Sequence, residues 1–279
     1  MELLYLGTGA AEGYPALFCR CEHCVQARRL GGRDLRRRTS ALIDGELLID
    51  VGPDLLAAAH TNALDLNAVR WVLQTHQHSD HLLESNFTFR GPGFAGTPPE
   101  PWELCGSGKT VETIRGYGDL PAIRVTPRSV SAFESFQLGP YAVTALLARH
   151  DMAIDPLFYA IRREGKALLW GNDTGPFFEE TWQALQQLGE QGVRFDVACI
   201  EATMGIRPMP NDAPPWGHMN LEQCGQHHRQ LAERGLLVEG ARLFAQHFSH
   251  ISTPLHAEVE QILQPYGVAP AYDGLTVRW

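Results

Sequence analysis

Thr75-His76-Gln77-His78-Ser79-Asp80-His81 puts four metal-capable side chains within six residues. It comes just after Val69 to Leu73, an apolar run that reads as a buried strand. Successive side chains alternate across a strand and wind around a helix, so neither element can aim them all one way. His76, His78, Asp80 and His81 converge only if the chain turns sharply after His76. Such a turn can serve two adjacent ions, with His76 and His78 on one and Asp80 and His81 on the other. Imidazole and carboxylate suit zinc, manganese, iron or nickel. The plain alternative is a polar loop that happens to be rich in histidine. A lone HxH would fit that alternative, whereas HxHxDH after an apolar strand is specific.

This stretch resembles the signature of the metallo-β-lactamase superfamily. The resemblance implies an α/β fold of αββα type, two mixed β-sheets flanked by helices, with a metal site along one edge between the sheets.

The chain has 279 residues and 44% hydrophobic content, enough to bury a large core. One domain over residues 1–279 is the expectation. No run approaches eighteen apolar residues, and the opening Met-Glu-Leu-Leu-Tyr-Leu-Gly lacks a basic n-region. Neither a membrane span nor a signal peptide is expected, and a cytoplasmic protein is the default. A net charge of -9 argues against a broad nucleic-acid surface. Arg28, Arg29, Arg33, Arg36, Arg37 and Arg38 form a local basic run, read as a solvated helix and loop or as a rim attracting an anionic substrate.

Glu2 to Leu6 reads as a strand, followed by the glycine-rich turn Gly7 to Gly13. That turn lacks the Gly-Lys-[Ser/Thr] ending of a phosphate loop. Cys19-Arg20-Cys21-Glu22-His23-Cys24 then offers three thiols, which in a reducing compartment suggest a metal before a disulfide. A closed tetrahedral zinc site needs one more ligand. His23 is available, but short-loop geometry favours a distant residue; free thiols are the alternative.

Gly-Thr-Gly-Ala-Ala-Glu-Gly-Tyr-Pro followed by Cys-x-Cys-x-x-Cys is similar to one branch of the superfamily. That branch contains the phosphoribosyl cyclic phosphate phosphodiesterase and, more distantly, the pyrroloquinoline quinone biosynthesis protein B. The resemblance implies a fourth zinc ligand three residues after the last active-site histidine. His247-Phe248-Ser249-His250 supplies that pair, so His250 is expected to join Cys19, Cys21 and Cys24 on a structural zinc while His247 faces the catalytic ions.

Thr39 to Ile43 and Glu46 to Ile49 read as a hairpin turning at Asp44-Gly45. Asp50, at the strand end, either supports a metal ligand or caps a turn. Leu82 to Ser85 departs from the family, many of whose members carry a glycine there, and Glu84 adds negative charge near the site. The Pro/Gly/aromatic stretch 86–102 is either a substrate cover or an ordinary packed loop. A strand near Ala122 to Val125 is expected, then one over Tyr141 to Leu147 that leads to His150. Pro176 and Gly189 bound a helix over Phe177 to Leu188, and a proline-rich loop spans 201–217. Asn220 and Gln223 have capping-box spacing and start a helix running to Arg234. His218 lies at its positive end, where an anion is favoured. His227, His228 and His256 have no metal spacing and read as surface residues.

The family's order of elements implies a first metal on His76, His78 and His150 and a second on Asp80, His81 and His247, with Asp173 bridging. Two divalent ions, manganese or zinc with iron or nickel also compatible, would generate a hydroxide there. Asp80 and His218 are the catalytic candidates, His218 as proton donor to a leaving alkoxide. The leading expectation is a phosphodiesterase for a small phosphodiester, cyclic diesters included. A carboxylic ester, thioester or lactone hydrolase and a non-hydrolytic accessory role in cofactor biosynthesis are the alternatives. The expected partner is a small anionic molecule, with neither membrane nor nucleic acid; a homodimer is compatible.

Overall fold

The computed structural model of the chain describes residues 1–209 and 217–279. Part of the expected proline-rich loop, residues 210–216, therefore lies outside the described residues.

The strands, in chain order, are β1 (Glu2–Gly7), β2 (Ser40–Ile43), β3 (Leu47–Ile49), β4 (Trp71–Leu73), β5 (Trp102–Gly106), β6 (Val125–Ser129), β7 (Ser135–Leu138), β8 (Tyr141–Leu147), β9 (Leu157–Arg163), β10 (Lys166–Gly171), β11 (Phe195–Glu201), β12 (Leu237–Gln246), β13 (Val268–Pro270) and β14 (Thr276–Arg278). The helices are α1 (Glu22–Leu30), α2 (Leu55–Thr61), α3 (Glu84–Thr88), α4 (Gly108–Arg115), α5 (Glu179–Glu190), α6 (Leu221–Glu233) and α7 (His256–Leu263). Among the described residues these strands form two sheets, ordered β14-β1-β2-β3-β4-β5-β6 and β13-β12-β11-β10-β9-β8-β7. Each is antiparallel through one half and parallel through the other, with β3 to β6 and β10 to β13 the parallel runs.

Alternation along the strands decides the layers. Leu3, Tyr5, Ile43 and Leu73 of one sheet meet Val143, Tyr159, Ile161 and Trp170 of the other in the central core. The second sheet's outer face, through Phe158, Ala160 and Leu169, packs against Trp182 and Leu185 of α5, Leu231 of α6 and Val259 of α7. The first sheet's outer face packs on α2 and α4 through Leu42, Leu48, Val72, Ala58 and Ile114. This is the expected αββα sandwich.

The hairpin through Asp44-Gly45 forms as its turn chemistry dictates, with Asp44 at φ 50 and Gly45 at φ 74. Asn220 and Gln223 make the reciprocal capping box at the start of α6. Other expectations shift. Ala122 to Arg124 is a turn, and the strand begins at Val125. α5 starts at Glu179, after the N-cap Phe178, and carries Gly189 inside its last turn because the chain reverses only at Gly192, φ 87. His227, His228 and His256 are not surface residues: all three are buried. Helix periodicity turns them inward, and each finds a partner, His227 on the Gln223 carbonyl, His228 on the Phe244 carbonyl and His256 on Arg36.

The basic run is also not simply a solvated face. Arg36 is buried, donating to Thr8 Oγ1 and the Ala271 carbonyl and lying 4.3 Å over the Phe248 ring. Arg38 pairs with Asp54 at 2.7 Å. In the 86–102 stretch, Phe87 is buried on the outer core of the first sheet, and Arg90 stacks on Trp102 at 3.8 Å. Glu84 is exposed on α3. No helix among the described residues is long and apolar enough to cross a membrane.

Candidate metal centre

The site forms where strands end. His76 to His81 follow β4, His150 follows β8, Asp173 follows β10, Glu201 closes β11 and His247 follows β12. Turning out of a strand so abruptly requires unusual backbone. Asp50, Asp173 and His247 all adopt the left-handed region, at φ 64, 45 and 57. Such conformations persist only where surrounding structure over-determines them.

The structure brings together every residue that the sequence placed on the catalytic ions. His78 Nδ1 lies 3.1 Å from both His76 Nε2 and His150 Nε2. Two nitrogens on one zinc at tetrahedral angles are about 3.3 Å apart, from Zn–N bonds of about 2.05 Å. Asp80, His81, Asp173 and His247 form a second cluster whose ligand atoms lie within 4.8 Å of one another. Asp173 stands between the clusters: Oδ2 is 3.4 Å from His76 Nε2 and 2.6 Å from His81 Nε2, and Oδ1 is 3.2 Å from His247 Nε2. Asp80 Oδ2 is 3.1 Å from His81 Nε2.

Hydrogen bonds at the back of the rings fix which nitrogen faces the cage. Asp50 is fully buried; its carboxylate accepts from the Thr75 N–H at 2.8 Å, from Thr75 Oγ1 and from Gln74 Nε2. It also accepts from His81 Nδ1 at 2.8 Å. Thr75 Oγ1, having donated to Asp50, accepts from His76 Nδ1 at 3.0 Å. His247 Nδ1 donates to Thr203 Oγ1 at 2.8 Å, and that hydroxyl donates to Glu201. These networks require the tautomer that leaves an Nε2 lone pair on His76, His81 and His247 pointing inward. His81 Nε2, His247 Nε2 and Asp173 Oδ1 are buried without a hydrogen-bond partner. Buried lone pairs of imidazole and carboxylate, aimed at one another and unsatisfied, fit divalent cations.

The electrostatics agree. Burial, aided by His81, pushes His76 well below the usual histidine range, and burial lowers His150. Both rings are therefore neutral and able to coordinate. In the metal-free form burial opposes a charged His81, but Asp80, Asp173 and Asp50 outweigh it and raise this ring well above the usual histidine range. A proton thus stands where a cation would, and although burial alone would raise Asp80 and Asp173, that charge, with His247, holds both carboxyls well below their usual range. Two buried carboxylates in one cage call for cationic charge.

His218 stands at the rim of this cage, its side chain 15% exposed. Nδ1 is 3.3 Å from Glu201 Oε1 and 3.5 Å from Asp173 Oδ1. Glu201 is fully buried and accepts from the Met219 N–H at 2.9 Å and the Thr203 N–H at 2.7 Å. Burial opposes the charged form of His218, but Glu201 outweighs it and raises this imidazole to about 9. The sequence reading missed Glu201 and Thr203. An acidic residue closing the wholly buried run Phe195 to Ile200 was the available signal.

A second cluster gathers Cys19, Cys21, Cys24 and His250, with ligand atoms within 4.8 Å of one another and Cys21 Sγ 3.7 Å from His250 Nδ1. Zn–S of about 2.3 Å and Zn–N of about 2.0 Å at tetrahedral angles put such atoms about 3.5 Å apart. Cys21 is the N-cap of α1, so the thiols collect at its positive end. The Cys21 N–H, donating to the Cys19 sulfur, pulls that thiol down.

A family described as "Beta-lactamase superfamily domain" matches residues 46–247. The chain belongs to the β-lactamase superfamily. Within that superfamily it has the metallo-β-lactamase fold, with a His/Asp cluster that could hold metal ions. Among curated relatives, the coenzyme PQQ synthesis protein B of Methylobacterium sp. (strain 4-46) is 26% identical over 226 residues, 74% of this chain and 68% of that protein. An octanoyltransferase of Porphyromonas gingivalis is 36% identical over 86 residues, 29% of this chain but only 16% of that protein's length. Two solved structures share the fold throughout. A diphosphatase from the PhnP family has TM-score 0.74 and 22% identity, covering 100% of this chain and 97% of that one. Zn(2+)-bound PqqB from Methylobacterium extorquens has TM-score 0.75 and 19% identity, covering 100% of both chains.

Proposed function

We propose that the chain is a phosphodiesterase that hydrolyses a small anionic phosphodiester, cyclic diesters included. The observation that carries this reading is the pair His218 and Glu201. It supplies a positively charged, proton-bearing imidazole at the rim of a dimetal cage, where a departing alkoxide needs a proton. In this reading His76, His78 and His150 hold one divalent ion and Asp80, His81 and His247 the other, with Asp173 between them. Manganese and zinc both suit such ligands, and iron or nickel can occupy them. When bound, such ions activate a water and neutralise charge on the attacked group.

The protein's own groups do the rest. Asp50 and the Glu201–Thr203 pair hold the imidazoles in register. Asp80, its carboxylate kept ionised, is placed to orient the attacking water as well as to ligate. His218, on the open side, contacts the non-bridging oxygen of the substrate and then gives its proton to the leaving oxygen, while Glu201 stabilises the charged ring until transfer. Cys19, Cys21, Cys24 and His250 would hold a structural zinc. We further read the chain as one cytoplasmic domain.

The diphosphatase of similar fold supports a phosphoryl substrate, since that protein acts on that class. The likeness to the PQQ synthesis protein favours one other reading, an accessory role in cofactor biosynthesis without hydrolysis.

The experiment compares two substrates in His218→Ala. With a phosphodiester whose leaving group is a poor alkoxide, turnover falls about a hundredfold or more, the range for positioned acid catalysis. With bis(p-nitrophenyl) phosphate, which departs without a proton, the loss is much smaller, and metal content is unchanged. Equal losses on both substrates would assign His218 to phosphate binding; no loss on either would remove it from the site and favour carbonyl hydrolysis.

A further inference from the structure

A cleft of about 380 Å³ lies on the outer face of the second sheet, beyond the C-terminal end of α5. Lys166 opens β10 and Asp173 follows its far end, so at about 3.3 Å per residue the cleft lies roughly 20 Å from the metal centre. Its floor is Arg162 on β9, whose neighbours in register, Ala142 on β8 and Ala167 on β10, are too small to fill the space beside it.

Arg162 is unusual in this acidic chain. Arg36, Arg38 and Arg163, also at least partly buried, each bond to protein acceptors. Arg162 is half-buried, and its Nε is buried without any hydrogen-bond partner among the described residues. The other cations of the cleft are committed elsewhere: Arg163 to Asp44 and Glu46, and Lys166 to Asp196 at 2.8 Å. Arg194 spends one nitrogen, Nη1, on the carbonyls of Gly189 and Val193, and that leaves the rest of its fork available. Gln191 adds a side-chain amide at the wall. The cleft's one carboxylate, Glu164, is 82% exposed and leans on Arg163 at 3.5 Å.

No protein acceptor holds the Arg162 guanidinium at Nε, which is itself closed to solvent, so the part of the fork that lines the cleft is the part open to a ligand. Two arginine forks and an amide around an open cavity match the tetrahedral oxygens of a phosphoryl group better than any neutral ligand, because a guanidinium donates two parallel hydrogen bonds to such an anion. We propose that this cleft binds a phosphoryl-bearing small molecule, through Arg162 and Arg194, at a site separate from the metal centre.

The test is calorimetric titration of metal-loaded protein with inorganic phosphate and glycerol phosphate, with succinate as a dicarboxylate control. Wild type should show two sites for phosphate. Arg162→Met should lose one, with affinity for it reduced tenfold or more, while hydrolysis of bis(p-nitrophenyl) phosphate is unchanged. Asp173→Asn should keep the site that Arg162→Met loses. Arg162→Lys, which retains the charge without the fork, and Arg194→Met carry the same test if Arg162→Met folds poorly. Phosphate binding that is identical in the Arg162 and Arg194 variants, or abolished altogether in Asp173→Asn, would overturn the proposal. Succinate binding as tightly as glycerol phosphate would overturn the phosphoryl assignment.

Discussion

Glu201 Oε1 and His218 Nδ1 face each other across 3.3 Å, the carboxylate fully buried and the imidazole at the rim of the metal cage. Everything else around Glu201 is a donor, so its charge has no outlet except the ring. Glu201→Gln keeps the volume and an acceptor for the Met219 N–H but removes the charge. The alkaline limb of the pH profile for an unactivated phosphodiester, where His218 loses its proton, should therefore move to lower pH, with a loss of about tenfold or more at neutral pH. Hydrolysis of bis(p-nitrophenyl) phosphate should change little. A pH profile superimposable on wild type would show that Glu201 only braces the loop.

Asp50 touches no proposed ion, yet it accepts from His81 Nδ1 and, through Thr75, orients His76. Carboxylates behind metal-bound histidines are worth about 10–100-fold in metal affinity. Asp50→Asn should weaken binding of the second active-site metal by about that factor in a chelator competition, with the fold intact by circular dichroism. Unchanged competition curves would reduce Asp50 to a turn cap.

Cys21→Ser should lower thermal stability more than it lowers turnover per correctly loaded active site, because the free energy of binding a structural zinc is folding free energy. Elemental analysis should find about three metals per wild-type chain and one fewer in the variant, the missing one being the ion that resists mild chelation in wild type. A variant with wild-type melting temperature and zinc content would refute the assignment of Cys19, Cys21, Cys24 and His250.

His227 and His228 make stability sensitive to acid. In the unfolded chain each titrates near 6.5. In the folded chain burial pulls His227 to about 4 and His228 to about 3. Between those values the unfolded state binds protons that the folded state refuses. Stability is thus complete above pH 6.5 and is lost as pH falls through the folded values, by up to about 1.4 kcal/mol per pH unit for each ring. Urea midpoints between pH 7.5 and pH 5, at fixed metal content, should fall less steeply in His228→Gln than in wild type. Parallel slopes would mean that neither ring is protonated on unfolding in this range.

Part of each cluster was legible because its chemistry is local: HxHxDH and CxCxxC carry their spacing in a few residues, whereas His150, Asp173, His247 and His250 were placed by the family's order of elements. Glu201 was not, since a carboxylate at the end of a buried strand looks like any strand terminus until the fold brings His218 beside it. His227, His228 and His256 were misread for a related reason. Their partners, a carbonyl one turn back, the Phe244 carbonyl and the Arg36 guanidinium, decide their burial, and two of those partners are far away in sequence. Within the arginine run, Arg28, Arg29 and Arg33 are exposed as expected, while Arg36 and Arg38 turn inward because their acceptors come from Ala271 and Asp54.

The strands that deliver His76 and His247 belong to different sheets, and their ligand atoms meet only once both sheets have closed over the central core. At the active site, half a chain can therefore offer an ion nothing better than the HxHxDH loop, and tight capture there waits for the whole topology. An ion that binds only the closed form acts as a rivet between two layers otherwise joined by apolar contact. During synthesis the HxHxDH loop emerges with its histidines uncommitted, and metal scarcity would leave the closed sandwich itself less populated, not only its site empty.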